Sequence, residues 1–147
     1  MDGLASRLEA DFRIAMKSQS PTLGLLRMLR SVIKNSEIEK KSPLNDEEVL
    51  EVLLKEAKKR KDAKKMYDEA NRPELAATEE SELKIMEEYL PKPASMEEIQ
   101  EALNVELAKV PGATQKDFGR VMGPLSKQFK GRVEPEVLMT AIRAKLQ

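Results

Sequence analysis

Apolar side chains in this chain return every three or four residues almost from end to end, and nowhere do they alternate with polar ones over the length of a strand. That spacing puts them along one side of an α-helix, which turns once in about 3.6 residues. Leu4, Leu8, Phe12, Ala15 and Met16 make a first stripe, and Leu25, Leu26, Leu29, Val32 and Ile33 a second. β-Branched runs are short and aromatic residues are only 3% of the chain, so the usual material of sheets is missing. The expected fold class is all-α.

Prolines and capping residues divide the stripes into helices. Pro21 suits the first turn of the second helix, with Ser20 as its cap. Ser42-Pro43 breaks that helix. Asn45 caps a third, whose first turn carries Asp46, Glu47 and Glu48 at the positive end of the helix dipole. Val49, Val52, Leu53, Ala63, Tyr67 and Ala70 form its stripe, interrupted by Glu56 and Arg60. These two are four apart and able to pair. Either the long helix leaves the core there, or it buries the pair against another segment. Pro73 opens a fourth helix with Leu75, Ala76, Leu83, Met86, Tyr89 and Leu90 facing inward.

Pro91-Lys92-Pro93-Ala94 stops that helix and stiffens the connection to the rest of the chain. The expected organisation is two small helical domains. An N-terminal helical domain with long helices spans residues 1–90, a Pro-rich linker 91–94, and a C-terminal three-helix bundle 95–147. Ser95 and Glu98 have the spacing of a capping box. Ile99, Ala102, Leu103, Leu107 and Val110 come next as a stripe, then a Pro111-Gly112-Ala113 turn and a second cap at residues 114–117. Phe118, Val121, Met122 and Leu125 mark the next helix, and Pro135 opens the last, with Leu138, Ile142 and Leu146.

The sequence offers little catalytic material. It has no cysteine and no histidine, which excludes a disulfide framework, a thiolate zinc site, a cysteine nucleophile and the commonest general base. Gly119 and Gly123 come after no strand, so they are no phosphate loop; close helix packing or a kink ahead of Pro124 is the expectation. Carboxylate pairs such as Glu79 with Glu82, or Glu87 with Glu88, lie in acidic runs with nothing apolar to raise a pKa. No catalytic residue, metal site or cofactor is expected. The eight methionines fall on stripes and read as core filling. No apolar run is long enough to span a bilayer and no signal peptide is visible, so the expected location is the cytoplasm.

Charge is where the sequence becomes informative. The formal total is zero, from 26 basic and 26 acidic residues, but the two signs are segregated. Residues 55–72 hold eight basic and four acidic side chains, residues 74–101 two and nine, and residues 114–147 seven and three. Fields within a Debye length, about 8 Å in the cell, decide what approaches a surface. The run Lys58-Lys59-Arg60-Lys61, with Lys64 and Lys65, fans around most of a helix and is not aimed at one backbone. Lys127, Lys130 and Arg132 instead flank a turn in which Gly131 ends a helix, a place that phosphates can reach. Phe118 lies on the apolar stripe and is expected to pack inside rather than stack on bases.

The run from Lys58-Lys59-Arg60-Lys61-Asp62-Ala63 through Ala70-Asn71-Arg72-Pro73-Glu74-Leu75-Ala76, with Glu79, Glu82 and Tyr89-Leu90-Pro91-Lys92, resembles the YqeY family. In the second half Asp117-Phe118-Gly119-Arg120-Val121-Met122-Gly123, Lys130-Gly131-Arg132-Val133 and the helix carrying Leu138 and Leu146 resemble that family too. They also resemble the C-terminal tail domain of the GatB subunit of the tRNA-dependent amidotransferase. The resemblance implies two helical domains and a link to glutamine-dependent amidation of mischarged Glu-tRNA or Asp-tRNA, a carbon–nitrogen ligase reaction. In that enzyme the tail helps to hold tRNA, while the chemistry sits in a larger portion that these 147 residues do not contain. Carried over, the resemblance implies RNA contacts at Lys127, Lys130, Gly131 and Arg132, with Lys116 and Arg120 behind them. Arg60, Asp62 and Arg72 match the family pattern with no role attached. The expected partner is tRNA. The alternative is a protein partner, the amidotransferase subunits or another, met by the acidic residues 74–101.

Overall fold

The structure, a computed structural model, describes residues 3–147. Among these it is all-α: α1 (Leu4–Ser18), α2 (Leu23–Lys40), α3 (Asp46–Glu69), α4 (Pro73–Glu87), α5 (Met96–Ala108), α6 (Phe118–Gln128) and α7 (Pro135–Lys145), with a 3-10 turn at Gln115–Asp117 and no strand. The helices gather into two compact units, one ending at Leu90 and the other spanning Pro91–Gln147.

In the first unit α1 turns Leu8, Phe12 and Ala15 inward and stops at Gln19, whose φ of 53° is left-handed. Met16 does not join them; it is 51% exposed, because residue 16 sits one step round the helix from Ala15. The second helix starts at Leu23, later than Pro21 suggests. Ser20 caps no helix: its Oγ accepts the amide of Thr22 at 3.2 Å, which makes residues 20–22 a turn. Asn45 does cap α3. Its side chain accepts the Glu48 amide at 2.9 Å, and the Glu48 carboxylate accepts the Asn45 amide at 3.3 Å.

Helix α3 runs unbroken through its charged interruption, 24 residues in all, and α4, opened by Pro73 in its first turn, folds back along it. Leu8, Leu26, Leu29, Val49, Leu53 and Met86 fill the core between α1, α2, α3 and α4. Leu75 is 40% exposed and Ala70 lies on the surface, so the far end of this hairpin buries less than its stripe suggests. Tyr89 and Leu90 lie beyond the end of α4, yet Tyr89 is buried. Its hydroxyl donates to the Asp11 carboxylate, and the Arg7 guanidinium covers its ring at 4.7 Å.

The second unit closes α5, α6 and α7 over Ile99, Leu103, Val121, Leu125, Phe129, Leu138 and Ile142. The sequence spacing accounts for this directly, since each is on the stripe of its helix or one turn beyond it. Methionine is less uniform than expected. Met86 is fully buried, while Met66 and Met96 are 67% and 55% exposed.

Candidate nucleic-acid interface

Several basic residues of the first unit already have acidic partners. Arg60 is buried and donates Nε to Glu82 at 2.8 Å, and Nη1 to the carbonyl and carboxylate of Glu56 at 3.0 and 3.2 Å. Lys59 reaches the other oxygen of Glu56 at 3.1 Å. Lys64 lies between Asp68 at 3.2 Å and Glu80 at 3.9 Å. The helix therefore buries its charged pair against α4. Of the three residues matching the family pattern here, only Arg60 points into this interface. Asp62 is exposed, and Arg72 is exposed at the hairpin turn, where its amide donates to the Tyr67 carbonyl at 2.8 Å. The three do not converge on one site.

In the second unit α6 is held at both ends. Thr114 and Asp117 form a reciprocal cap just ahead of it, with the Thr114 amide donating to Asp117 Oδ2 at 2.9 Å. Gln115 ties this turn to the end of α7 through the Leu146 carbonyl at 3.3 Å. Val121, Leu125 and Phe129 then face the core with at most 2% exposure, fixing which side of α6 looks out. That side carries Arg120, Gly123 and Lys127, three and four residues apart and all exposed. Lys116 continues the line in the preceding turn and is also exposed. No acidic residue occurs between Asp117 and Glu134.

Gly119 and Gly123 are not packing glycines. A β-carbon built on either meets nothing within 4 Å, which corrects the expectation of close helix contact. Beside the cations these two positions expose backbone, and Pro124 is exposed next to them. Pro124 lies inside α6. Having no N–H, it deprives the Arg120 carbonyl of its regular helical donor on this exposed side.

The corner beyond α6 is less open than its charge suggests. The helix ends at Gln128, and Gly131 lies just beyond in a left-handed conformation with φ of 78°. Arg132 donates Nε to the Lys92 carbonyl at 2.9 Å and Nη2 to Glu98 Oε2 at 2.7 Å, while its own carbonyl accepts the Ala94 amide at 2.9 Å. It clamps residues 92–94 onto the bundle. The guanidinium is the main reason the Glu98 carboxyl is held below its ordinary pKa of 4.5. Ser95 accepts the Glu98 amide as expected, but the carboxylate of Glu98 is turned chiefly to Arg132. Lys127 and Lys130 are exposed. Sequence reasoning missed the Arg132 clamp because the capping spacing already accounted for Glu98. The outward cationic line, by contrast, was available from the positions of residues 116, 120, 123 and 127.

Phe118 is half-buried against the core with Arg143 over its ring at 5.1 Å, and Phe129 is 2% exposed. Among the described residues no group of three or more acidic side chains could hold a metal ion, and no helix is long and apolar enough to cross a membrane.

Fold and site together define a small all-helical protein with an acid-free basic helix face. The chain matches the family model described as Yqey-like protein over residues 5–146, and it belongs to the YqeY family. It is also 37% identical over 82 residues to an uncharacterized protein of Schizosaccharomyces pombe, a match covering 55% of this chain and 67% of that one.

Proposed function

We propose that this protein is a tRNA-binding accessory module related to the glutamine-dependent amidotransferase that corrects mischarged Glu-tRNA and Asp-tRNA, with no catalytic centre of its own. The observation that carries the reading is the outward side of α6, where Arg120 and Lys127 line up in a stretch free of acidic residues, with Lys116 in the preceding turn on the other side of Asp117. Elsewhere the basic side chains Arg60, Lys59, Lys64 and Arg132 already meet carboxylates. A polyanion gains most where no protein carboxylate competes. Arg132 supports the corner from within, and Lys127 and Lys130 stand at its surface.

The protein-docking alternative rests on the acidic residues 74–101. It is weakened because Glu82, Glu80 and Glu98 are engaged by Arg60, Lys64 and Arg132. The test is electrophoretic or filter binding of tRNA to the purified chain at low salt, with Arg120→Glu and Lys127→Glu as variants. Binding that both reversals weaken about tenfold or more supports the reading. No binding at low salt, or reversals without effect, removes it. An ammonia-transfer assay on the pure protein should be blank.

A further inference from the structure

The face of α6 is more particular than a patch of positive charge. Its cations border a strip in which Gly119 and Gly123 carry no side chain, with Pro124 exposed at its edge. Within the strip the Arg120 carbonyl lacks the donor that any residue but Pro124 would have supplied. From Arg120 to Lys127 the helix rises about 10 Å, so the two charges reach phosphates on either side of whatever lies across the strip. Glycine in a helix interior costs stability; Gly123 precedes Pro124, whose ring would crowd a β-carbon there, but neither packing nor positive φ accounts for Gly119.

The surrounding surface narrows the kind of nucleic acid. Single-stranded binders need exposed aromatic rings on which bases stack. The second unit has only Phe118 and Phe129, one half-buried beneath Arg143 and the other in the core. Its contacts would therefore be to sugar and phosphate. A-form RNA presents a wide, shallow minor groove edged by phosphates and lined with 2′-hydroxyls. A bare helix surface can lie against it, and an acceptor short of a donor is complementary to a ribose hydroxyl. Duplex DNA has no such hydroxyl.

We infer that the outward face of α6 docks on the ribose–phosphate backbone of double-helical RNA, with Lys116, Arg120 and Lys127 on phosphates and the Gly119–Gly123 strip against the sugars. This rests on the RNA-binding reading above and specifies the part of the RNA that is held.

The test uses the full chain with four probes of matched length where length applies: bulk tRNA, an RNA duplex, a DNA duplex of the same sequence, and an unstructured single-stranded RNA. Binding is compared for the wild type and Gly119→Met. The RNA duplex should bind within about threefold of tRNA, and the DNA duplex and single strand at least about tenfold more weakly. Gly119→Met should weaken RNA duplex binding about tenfold while its melting temperature stays the same or rises, since methionine is the better helix former and a β-carbon at residue 119 meets nothing within 4 Å. If tRNA binds but single-stranded RNA or duplex DNA binds equally well, the backbone-docking inference is wrong and the RNA-binding reading stands. Unchanged duplex binding by Gly119→Met likewise overturns the docking strip. If none of the four probes binds, both fall.

Discussion

Replacing Arg60 with methionine should be among the most damaging single changes in the first unit. Arg60 donates hydrogen bonds to Glu82 Oε2, the Glu56 carbonyl and Glu56 Oε2, and a longer one to Met28 Sδ at 3.8 Å. Its side chain is 10% exposed and that of Glu56 8%, so removing the guanidinium strands a carboxylate away from water. Breaking one side of a buried ion pair costs about 3–5 kcal/mol. Two features reduce the figure here. Glu82 is 35% exposed and can rehydrate, and Lys59 still holds Glu56 at 3.1 Å from a side chain 73% exposed. The expected loss is about 2–3 kcal/mol, which lowers a urea midpoint by about 0.7–3 M for an m-value of about 1–3 kcal/mol/M. Both tyrosines, Tyr67 and Tyr89, lie in the first unit and the chain has no tryptophan, so intrinsic fluorescence reports that unit alone. Adding Glu56→Leu to Arg60→Met should recover at least half of the loss, because an apolar pair of similar volume replaces the buried ions. A single-variant cost below about 0.5 kcal/mol, with no recovery in the double, would show a solvent-screened surface pair and refute the reasoning.

Local geometry sets three further outcomes. Asn45→Ala removes the cap of α3 and should cost about 1 kcal/mol in urea unfolding monitored by tyrosine fluorescence. Burial first, and then the bond to Asp11, raise the Tyr89 pKa above its ordinary value of 10.0. The folded phenol stays neutral after the unfolded one ionises, so this contribution is full below pH 10 and is lost as pH rises beyond it; in Tyr89→Phe that alkaline decline should flatten. The Glu98 carboxyl should titrate below 4.5 by NMR and return towards that value in Arg132→Met. Its stabilising effect is present above 4.5 and disappears as pH falls through the depressed value, and an unchanged titration in the variant would remove Arg132 as its cause.

Much of the fold was legible because helical stripes, prolines and caps agree with one another. Asn45 shows this well: the residue type, the acidic first turn and the Val49–Leu53 stripe all point to one helix start, and the reciprocal bonds are present. Where local signals compete, the sequence says less. Ser20 had the chemistry of a cap, but its hydroxyl serves a turn that Pro21 stiffens. Met16 and Leu75 fit their stripes yet are exposed, because a stripe fixes direction but not whether a neighbouring helix reaches that far. The Glu56–Arg60 pair left two outcomes open, and only the return of α4 with Glu82 decides between them. The candidate site divides in the same way. The charge on α6 could be read from spacing. The clamp at Arg132 could not, since it needs Lys92 and Glu98, which lie 40 and 34 residues away in sequence.

The central claim is that an uncompensated cationic face binds tRNA, and a salt titration of that binding tests it most directly. With three phosphate contacts, at Lys116, Arg120 and Lys127, log K should fall with log salt at a slope of about −2.1 to −2.7, or about 20- to 40-fold between about 50 and 200 mM. In the double variant Arg120→Gln, Lys127→Gln the slope should shrink by about 1.5. An affinity that does not change with salt, or a slope that survives the double variant intact, would contradict the account.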